Sequence, residues 1–367
     1  MRVGIIGGGQ LGRMLGLAGI PLGCTFTYLD PSPEAGAKSV GELIVAPYDD
    51  DAALDRLAAM SDVVTYEFEN VPADAAKRVA DRVPVLPFPR SLEMTQNRAR
   101  EKEVFERCGI GTPRYRVVAR AQDLSLAIDD VGIPCVVKTL TEGYDGKGQI
   151  VVRSEADRKE VVRISGGNGV IVESFVPFDR ELSAIDVRSR DGEVVCYPLV
   201  ENLHHEGILR LSRAPVPRAQ ALQEAAESMM KKLLADLEHV GVLTLEMFER
   251  DGDLLANEMA PRVHNSGHWT IEGAETSQFE NHVRAITGLP LGSTRPRGHS
   301  AMVNLVGALP AADAVLALEG AHLHLYDKAP RPGRKVGHVT VRADAPEDVD
   351  LAVRRLHGLA GTYLGPN

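Results

Sequence analysis

The sequence predicts a multidomain protein of α/β and α+β class, with an N-terminal Rossmann-like parallel-sheet domain, a small α/β lid domain and a C-terminal antiparallel-sheet domain. Three observations carry that expectation. The chain has 367 residues, beyond the size at which one hydrophobic core stops growing. Strand and helix signals alternate through residues 1–97, the rhythm of a parallel sheet. Beyond Val176 the strand signals come as hairpins instead.

Composition narrows the function classes. Hydrophobic residues make up 44% and charged residues 25%, both ordinary for a globular protein. No apolar stretch reaches the length of a membrane span, so no membrane partner is expected. A formal charge of −10 argues against a nucleic-acid surface. Met1 leads straight into a strand and a glycine turn without the pattern of a signal peptide, so a cytoplasmic protein is expected. Cys24, Cys108, Cys135 and Cys196 match no compact zinc or redox spacing and read as reduced, small apolar residues.

In chain order, strands are expected at residues 3–6, 26–29, 42–45, 62–66 and 85–86. A polar helix follows over 91–108, and glycine and proline mark its exit as a boundary. The lid domain, residues 98–176, holds a strand at 134–138, a glycine-rich loop at 143–149 and strands at 150–152 and 170–173. Residues 177–367 form the large domain, with a C-terminal extension from about residue 300. There, strands 182–188 and 194–200 meet across Asp191-Gly192. The apolar spacing of Leu222, Ala226, Met229, Leu233, Leu237 and Val240 predicts a core helix over 219–240.

Several motifs carry chemistry. Gly7 to Gly12 satisfies G-x-G-x-x-G after a strand, and Asp30 ends the second strand, as a dinucleotide fingerprint would have it. Small residues at a helix N-terminus present N–H groups to any phosphate, however, so NAD, a sugar phosphate and a purely structural turn all remain open. The second loop, Gly143-Tyr144-Asp145-Gly146-Lys147-Gly148-Gln149, lies between two strands and is not a Walker A loop; it suits a flap folding over triphosphate. Glu173-Ser174-Phe175-Val176 ends a strand at the change of domain, where backbone could pair with adenine and a carboxylate could reach ribose, and Glu181 follows.

Glu246 stands on a strand opposite the face of Leu243, Leu245 and Met247. After Asp251-Gly252 the chain returns through Asn257 and Glu258. A regular two-residue turn would pair Glu246 with Asn257, so bringing Glu258 to the same site requires a bulge or a wider loop. Two carboxylates and an amide oxygen suit Mg2+, which fills its shell with phosphate and water. His264 and His268 are four residues apart, but Pro261 and Gly267 break any helix that would align them on zinc. A substrate-contacting loop that includes Asn265 and Ser266 is expected instead. Lys328, Arg331, Arg334 and Lys335 form a candidate anion site.

Taken together, the motifs at residues 7–14 (GGGQLGRM), 65–70 (TYEFEN), 143–149 (GYDGKGQ), 257–267 (NEMAPRVHNSG) and 332–338 (PGRKVGH) give the chain a resemblance, over nearly its whole length, to the 5-(carboxyamino)imidazole ribonucleotide synthetases. These are ATP-grasp enzymes of purine biosynthesis. The resemblance implies an ATP-grasp fold, ATP and Mg2+ as cofactors, and a homodimer that joins bicarbonate to 5-aminoimidazole ribonucleotide. It implies that Arg98 and Lys138 contact ATP phosphates, that Glu173 to Val176 and Glu181 hold adenine and ribose with His204 nearby, and that Asn257 joins Glu246 and Glu258 at the metal. Tyr144, Asp145, Lys147 and Arg262 would be catalytic. Gly8, Gly9, Gln10, Leu11 and Glu69, with His264, Asn265, Ser266 and the basic cluster, would take the ribonucleotide rather than NAD. The chain departs from the family pattern at Glu142 and Asp327, where glycine is usual.

Bicarbonate is a poor electrophile, and phosphorylation by ATP would supply its leaving group as carboxyphosphate. Asp145 is the candidate acceptor of the amine proton. The competing readings are a formate-dependent glycinamide ribonucleotide transformylase of the same fold, an NAD-dependent dehydrogenase resting on the first glycine loop, and a non-catalytic nucleotide sensor.

Overall fold

The computed structural model describes residues 1–141, 143, 148–161 and 169–361. Three sheets organise them. The first is parallel and runs β3 (Glu42–Val45), β2 (Thr25–Asp30), β1 (Arg2–Ile6), β4 (Val63–Tyr66). Its central strands are apolar on both faces, as helices on either side require: Val3, Ile5 and Ile6 are all buried. The chain leaves β1 through Gly7 to Gly9 and enters the helix Gln10–Gly19.

The second sheet is antiparallel throughout, in the order β5 (Tyr115–Val118), β8 (Val170–Ser174), β6 (Cys135–Thr139), β7 (Gln149–Val152). The third has nine strands among the described residues and is also antiparallel. Its order is β14 (Asp253–Ala260), β13 (Gly241–Arg250), β9 (Arg180–Arg188), β11 (Val200–His205), β12 (Ile208–Ala214), β15 (His299–Val306), β17 (Lys335–Ala343), β16 (Ala321–Leu325), with β10 (Val194–Cys196) paired to β9. The helix Gln220–Asp236 lays Leu222, Ala226, Met230, Leu233 and Leu234 against this sheet.

The strand expected at 85–86 is only an isolated bridge between Val64 and Val85, and two further elements differ from the sequence reading. The helix expected over 91–108 is two helices, Pro89–Thr95 and Arg98–Arg107. Asn97 separates them: its side-chain oxygen accepts from the N–H groups of Ala99 (2.9 Å) and Arg100 (3.3 Å), which starts a new helix. The strand expected at 194–200 is also split, between β10 and β11. Pro198 lies in the gap, where it has no N–H to give a ladder.

The first and third sheets share a core in which Val3 and Ile5 meet Ile185, Val242, Phe279 and Val283. A buried histidine also ties them. His282 Nδ1 accepts from the Val242 N–H at 3.1 Å, which leaves Nε2 to donate to Thr65 Oγ1 at 3.0 Å. Burial, followed by the neighbouring His239, pushes His282 from 6.5 down to about 3, so it is neutral in the folded protein. Unfolded chains bind the proton that the folded site refuses. Its contribution is therefore complete above pH 6.5 and is lost as the pH falls toward 3. His239, pushed down to about 4 by burial, acts in the same direction. The melting temperature should decline from pH 7 to pH 5. A His282→Asn variant should start lower at neutral pH and decline less steeply across that range.

Candidate active site

The three sheets meet around a cleft of about 540 Å3. Gln10 and Leu11 of the first helix, Lys138 of the second sheet, Glu181, His204, Glu246 and Glu258 of the third, and Lys335 all line it.

The hairpin β13–β14 sets its floor. Asp251 and Gly252 both have positive φ, 53° and 83°, and Arg250 faces Asp253, so the turn is a regular two-residue one. From that register Glu246 would face Asn257. A bulge intervenes: Met247 pairs with Ala256, Asn257 is the extra residue, and Glu246 pairs with Glu258. Burial, and then the charge of Glu258, raise the proton affinity of Glu246 above the ordinary carboxylate range. A divalent cation between the two carboxylates would remove that repulsion. Among the described residues no group of three His, Cys, Asp or Glu side chains could hold a metal by itself. Two carboxylates fit Mg2+, which brings phosphate and water oxygens of its own.

A buried ion network stands beside this pair. Glu173, at the end of β8, meets Lys138 Nζ at 2.6 Å and Lys102 Nζ at 2.9 Å. Lys138 also donates to Asn257 Oδ1 at 3.1 Å, and Lys102 to the Asn257 carbonyl at 2.9 Å. Burial alone would raise the Glu173 carboxyl, but Lys138 and Lys102 outweigh it and bring it to about 2. The Glu173 carboxylate is therefore engaged by two lysines. Ser174 is the last residue of β8, and Phe175 and Val176 follow it toward β9. Arg98 donates to the Thr139 carbonyl at 2.8 Å and stands 3.8 Å from Glu258.

On the third sheet, Glu181 pairs with His204 Nδ1 at 3.0 Å. Burial opposes charge on His204, but Glu181 and Glu246 outweigh it and raise its pKa. His264 Nε2 lies 3.2 Å from Glu246. The Ser266 N–H points at His264 Nδ1 (3.3 Å), which places the ring proton on Nε2, facing the carboxylate. Burial, followed by Arg262 and Lys335, holds His264 well below the ordinary imidazole value. Asn265 exchanges hydrogen bonds with Asn304 (2.7 and 3.2 Å). Ser266 is fully buried and supports His264 from behind.

Glu69 lines the cleft, and its carboxylate accepts from Arg262 Nε at 2.5 Å and also pairs with the terminal guanidinium nitrogen, so it orients Arg262. Gly8 and Gly9 were expected to give their amides to substrate. Those amides instead donate to Asp30 Oδ2 (2.8 Å) and Glu67 Oε1 (2.6 Å). Lys328 donates to Gln10 Oε1 beside the first glycine loop and feels the charges of Arg334, Lys335 and Arg331. Asp327, where glycine is usual in the family, has φ 55°, the left-handed backbone that glycine adopts freely and aspartate tolerates. Gly143 and Gln149 line the cleft. Gly148 has positive φ. Glu142, Tyr144, Asp145, Gly146 and Lys147 lie outside the described residues.

Sequence reasoning missed Glu101, Lys102 and Glu67, all buried. For the first two a signal existed, since Val104 and Phe105 follow at helical spacing and put Glu101 and Lys102 on the inward face. Glu101 accepts from the Met259 N–H at 2.6 Å, and burial pushes it up to about 8.

Three family models cover the chain: the ribonucleotide synthetase preATP-grasp domain matches residues 1–96, the ATP-grasp domain residues 103–279 and the phosphoribosylaminoimidazole carboxylase C-terminal domain residues 300–351. The chain is 53% identical to the N5-carboxyaminoimidazole ribonucleotide synthase of Pseudomonas aeruginosa, over 93% of this chain and 94% of that one. It superposes on the N5-carboxyaminoimidazole ribonucleotide synthetase of Thermus thermophilus with a TM-score of 0.95, 54% identity and all of both chains covered. The Aspergillus clavatus N5-carboxyaminoimidazole synthase in complex with ADP and 5-aminoimidazole ribonucleotide superposes with a TM-score of 0.92, at 33% identity and 98% coverage of each chain.

Lys102→Met leaves Glu173 buried with one cation, and removing one partner of a buried pair costs about 3–5 kcal/mol. Urea unfolding should register that loss. Combined with Glu173→Gln, the two effects should sum to clearly less than their separate values; strict additivity would mean that the residues do not form one network.

Proposed function

The chain belongs to the N5-carboxyaminoimidazole ribonucleotide synthase family of ATP-grasp enzymes, and from that premise we propose how its own cleft carboxylates 5-aminoimidazole ribonucleotide with ATP and bicarbonate. The carrying observation is the facing pair Glu246 and Glu258, in a cleft whose lining also holds Lys138 and Arg98 and, from other elements, Gln10 and Lys335.

ATP lies on the side of Lys138 and Arg98, whose charges face its phosphates. Glu181, with His204, takes the ribose. The backbone from Glu173 to Val176 takes the adenine edge. Mg2+, held by Glu246 and Glu258 with Asn257 Oδ1 as a third oxygen, would neutralise charge on the transferring phosphoryl. The chain's own residues do the rest. Glu69 holds Arg262 in the orientation that meets the developing charge on the carboxyphosphate. His264, kept neutral, faces Glu246 through Nε2 at 3.2 Å and so stands beside the carboxylate without adding charge.

The ribonucleotide lies against Gln10 and Leu11, with its phosphate at Lys328, Arg331, Arg334 and Lys335, and with Asn265 at the loop that carries His264. Its amine attacks the carboxyphosphate carbon, phosphate departs with the bonding pair, and Asp145 accepts the proton. Tyr144 and Lys147 stand beside that intermediate, and the loop of Gly146, Gly148 and Gln149 closes water out. The support for these loop assignments is the motif itself.

We divide the chain at 97/98 and 176/177, with an extension from about residue 300, and assign it to the cytoplasm as a homodimer, as the resemblance implies. Among the described residues no helix is long and apolar enough to cross a membrane.

Phosphate release from ATP, Mg2+ and bicarbonate tests the reading. The ribonucleotide should stimulate it strongly, and chelating the metal or introducing Glu258→Gln should lower it at least about 100-fold. Release that responds to formate and glycinamide ribonucleotide, and not to bicarbonate and the aminoimidazole, would assign the other ligase instead.

A further inference from the structure

The residues 7–12 match a dinucleotide fingerprint, yet the loop is already filled. Glu67, just beyond the end of β4, accepts from the Gly9 N–H through Oε1 (2.6 Å) and from the Gly12 N–H through Oε2 (2.5 Å). Asp30 accepts from Gly8 (2.8 Å) and also from the Tyr48 hydroxyl (2.9 Å). A two-oxygen acid thus sits where a dinucleotide fold receives pyrophosphate at the head of the first helix.

The glycines themselves are shaped to this acid. A methyl group added at Gly7 or Gly9 would overlap the Glu67 side chain, and one at Gly12 would lie 3.0 Å from its Oε2. All three fingerprint glycines therefore surround one carboxylate. Glu67 is only 8% exposed. Gln10, between Gly9 and Gly12, turns into the cleft and receives Lys328. Burial raises the Glu67 carboxyl, and the Gly12 and Gly9 amides and Lys328 oppose that rise; Lys328 in turn is disfavoured by burial and by three neighbouring cations, and the Glu67 charge supports it.

We propose that Glu67 is a positioning and specificity residue: its carboxylate occupies the amide cradle of the glycine loop, bars a diphosphate from it and holds Gln10 and Lys328 where a ribonucleotide monophosphate is received. The role rests on the function proposed above. Glu67 does not touch the reacting atoms. It acts through the turn that carries Gln10 and through the charge it sets against Lys328.

Glu67→Gln keeps the shape and one acceptor, but turns an NH2 group toward one of the two amides. A charge-assisted hydrogen bond of this kind corresponds to roughly ten- to hundredfold in binding. The KM for 5-aminoimidazole ribonucleotide should rise by about that factor, while kcat, the KM for ATP and the bicarbonate-dependent ATP hydrolysis without ribonucleotide stay within about twofold. Glu67→Asp, which keeps the charge and loses the reach, should show the same split to a smaller degree. An unchanged ribonucleotide KM in both variants overturns the proposal. So does loss of ATP binding or of folding in both, which would make Glu67 a structural residue only. If the wild-type enzyme itself shows no ribonucleotide-stimulated phosphate release, the functional reading fails first and separately.

Discussion

The buried contact of Glu173 with Lys102 and Lys138 is the constraint on which the site depends. Three separate parts of the chain supply it: the helix Arg98–Arg107, β6 and the end of β8. Both lysines then reach Asn257 on β14, one through its side chain and the other through its carbonyl. A charge buried this deeply is tolerable only when paired, so each partner fixes the others. The second sheet is thereby tied to the hairpin of the third at the bulged residue. That same bulge brings Glu258 opposite Glu246.

Electrostatic preorganisation follows from this arrangement. Lys138 and Arg98 face the cleft already held by acceptors, so little reorganisation is needed when a triphosphate arrives. The acids on the floor are in the opposite condition. Glu246 and Glu258 repel each other, and burial makes that repulsion matter. A cleft with restrained cations on one wall and two facing carboxylates on the floor is built to receive an anion together with a divalent cation. ATP with Mg2+ has that chemistry.

Much of the site was legible in the sequence. Strand alternation pointed Glu246 away from Leu245 and Met247, and counting residues across Asp251-Gly252 required the bulge that the structure contains. The parallel and antiparallel sheets were readable from connection length. What could not be read was which partner a carboxylate chooses. Glu173 and Asp30 sit at strand ends and Glu69 in the segment after β4, where substrate contact was the natural expectation, and each is engaged by the protein itself. Such pairings join residues up to 193 positions apart, beyond the reach of local pattern. Lys102 and Glu101 were overlooked for another reason: in a helix dense with charge they resemble solvated surface, although Val104 and Phe105 mark the face they share.

The central claim is that ATP and bicarbonate react with each other in this cleft before the amine attacks. Bicarbonate labelled with 18O tests it most directly. If ATP phosphorylates bicarbonate, an oxygen of bicarbonate leaves with the phosphate, and mass spectrometry of the phosphate released in the presence of 5-aminoimidazole ribonucleotide should find one 18O per turnover. Phosphate that carries no label while the carbamate is formed would contradict the account.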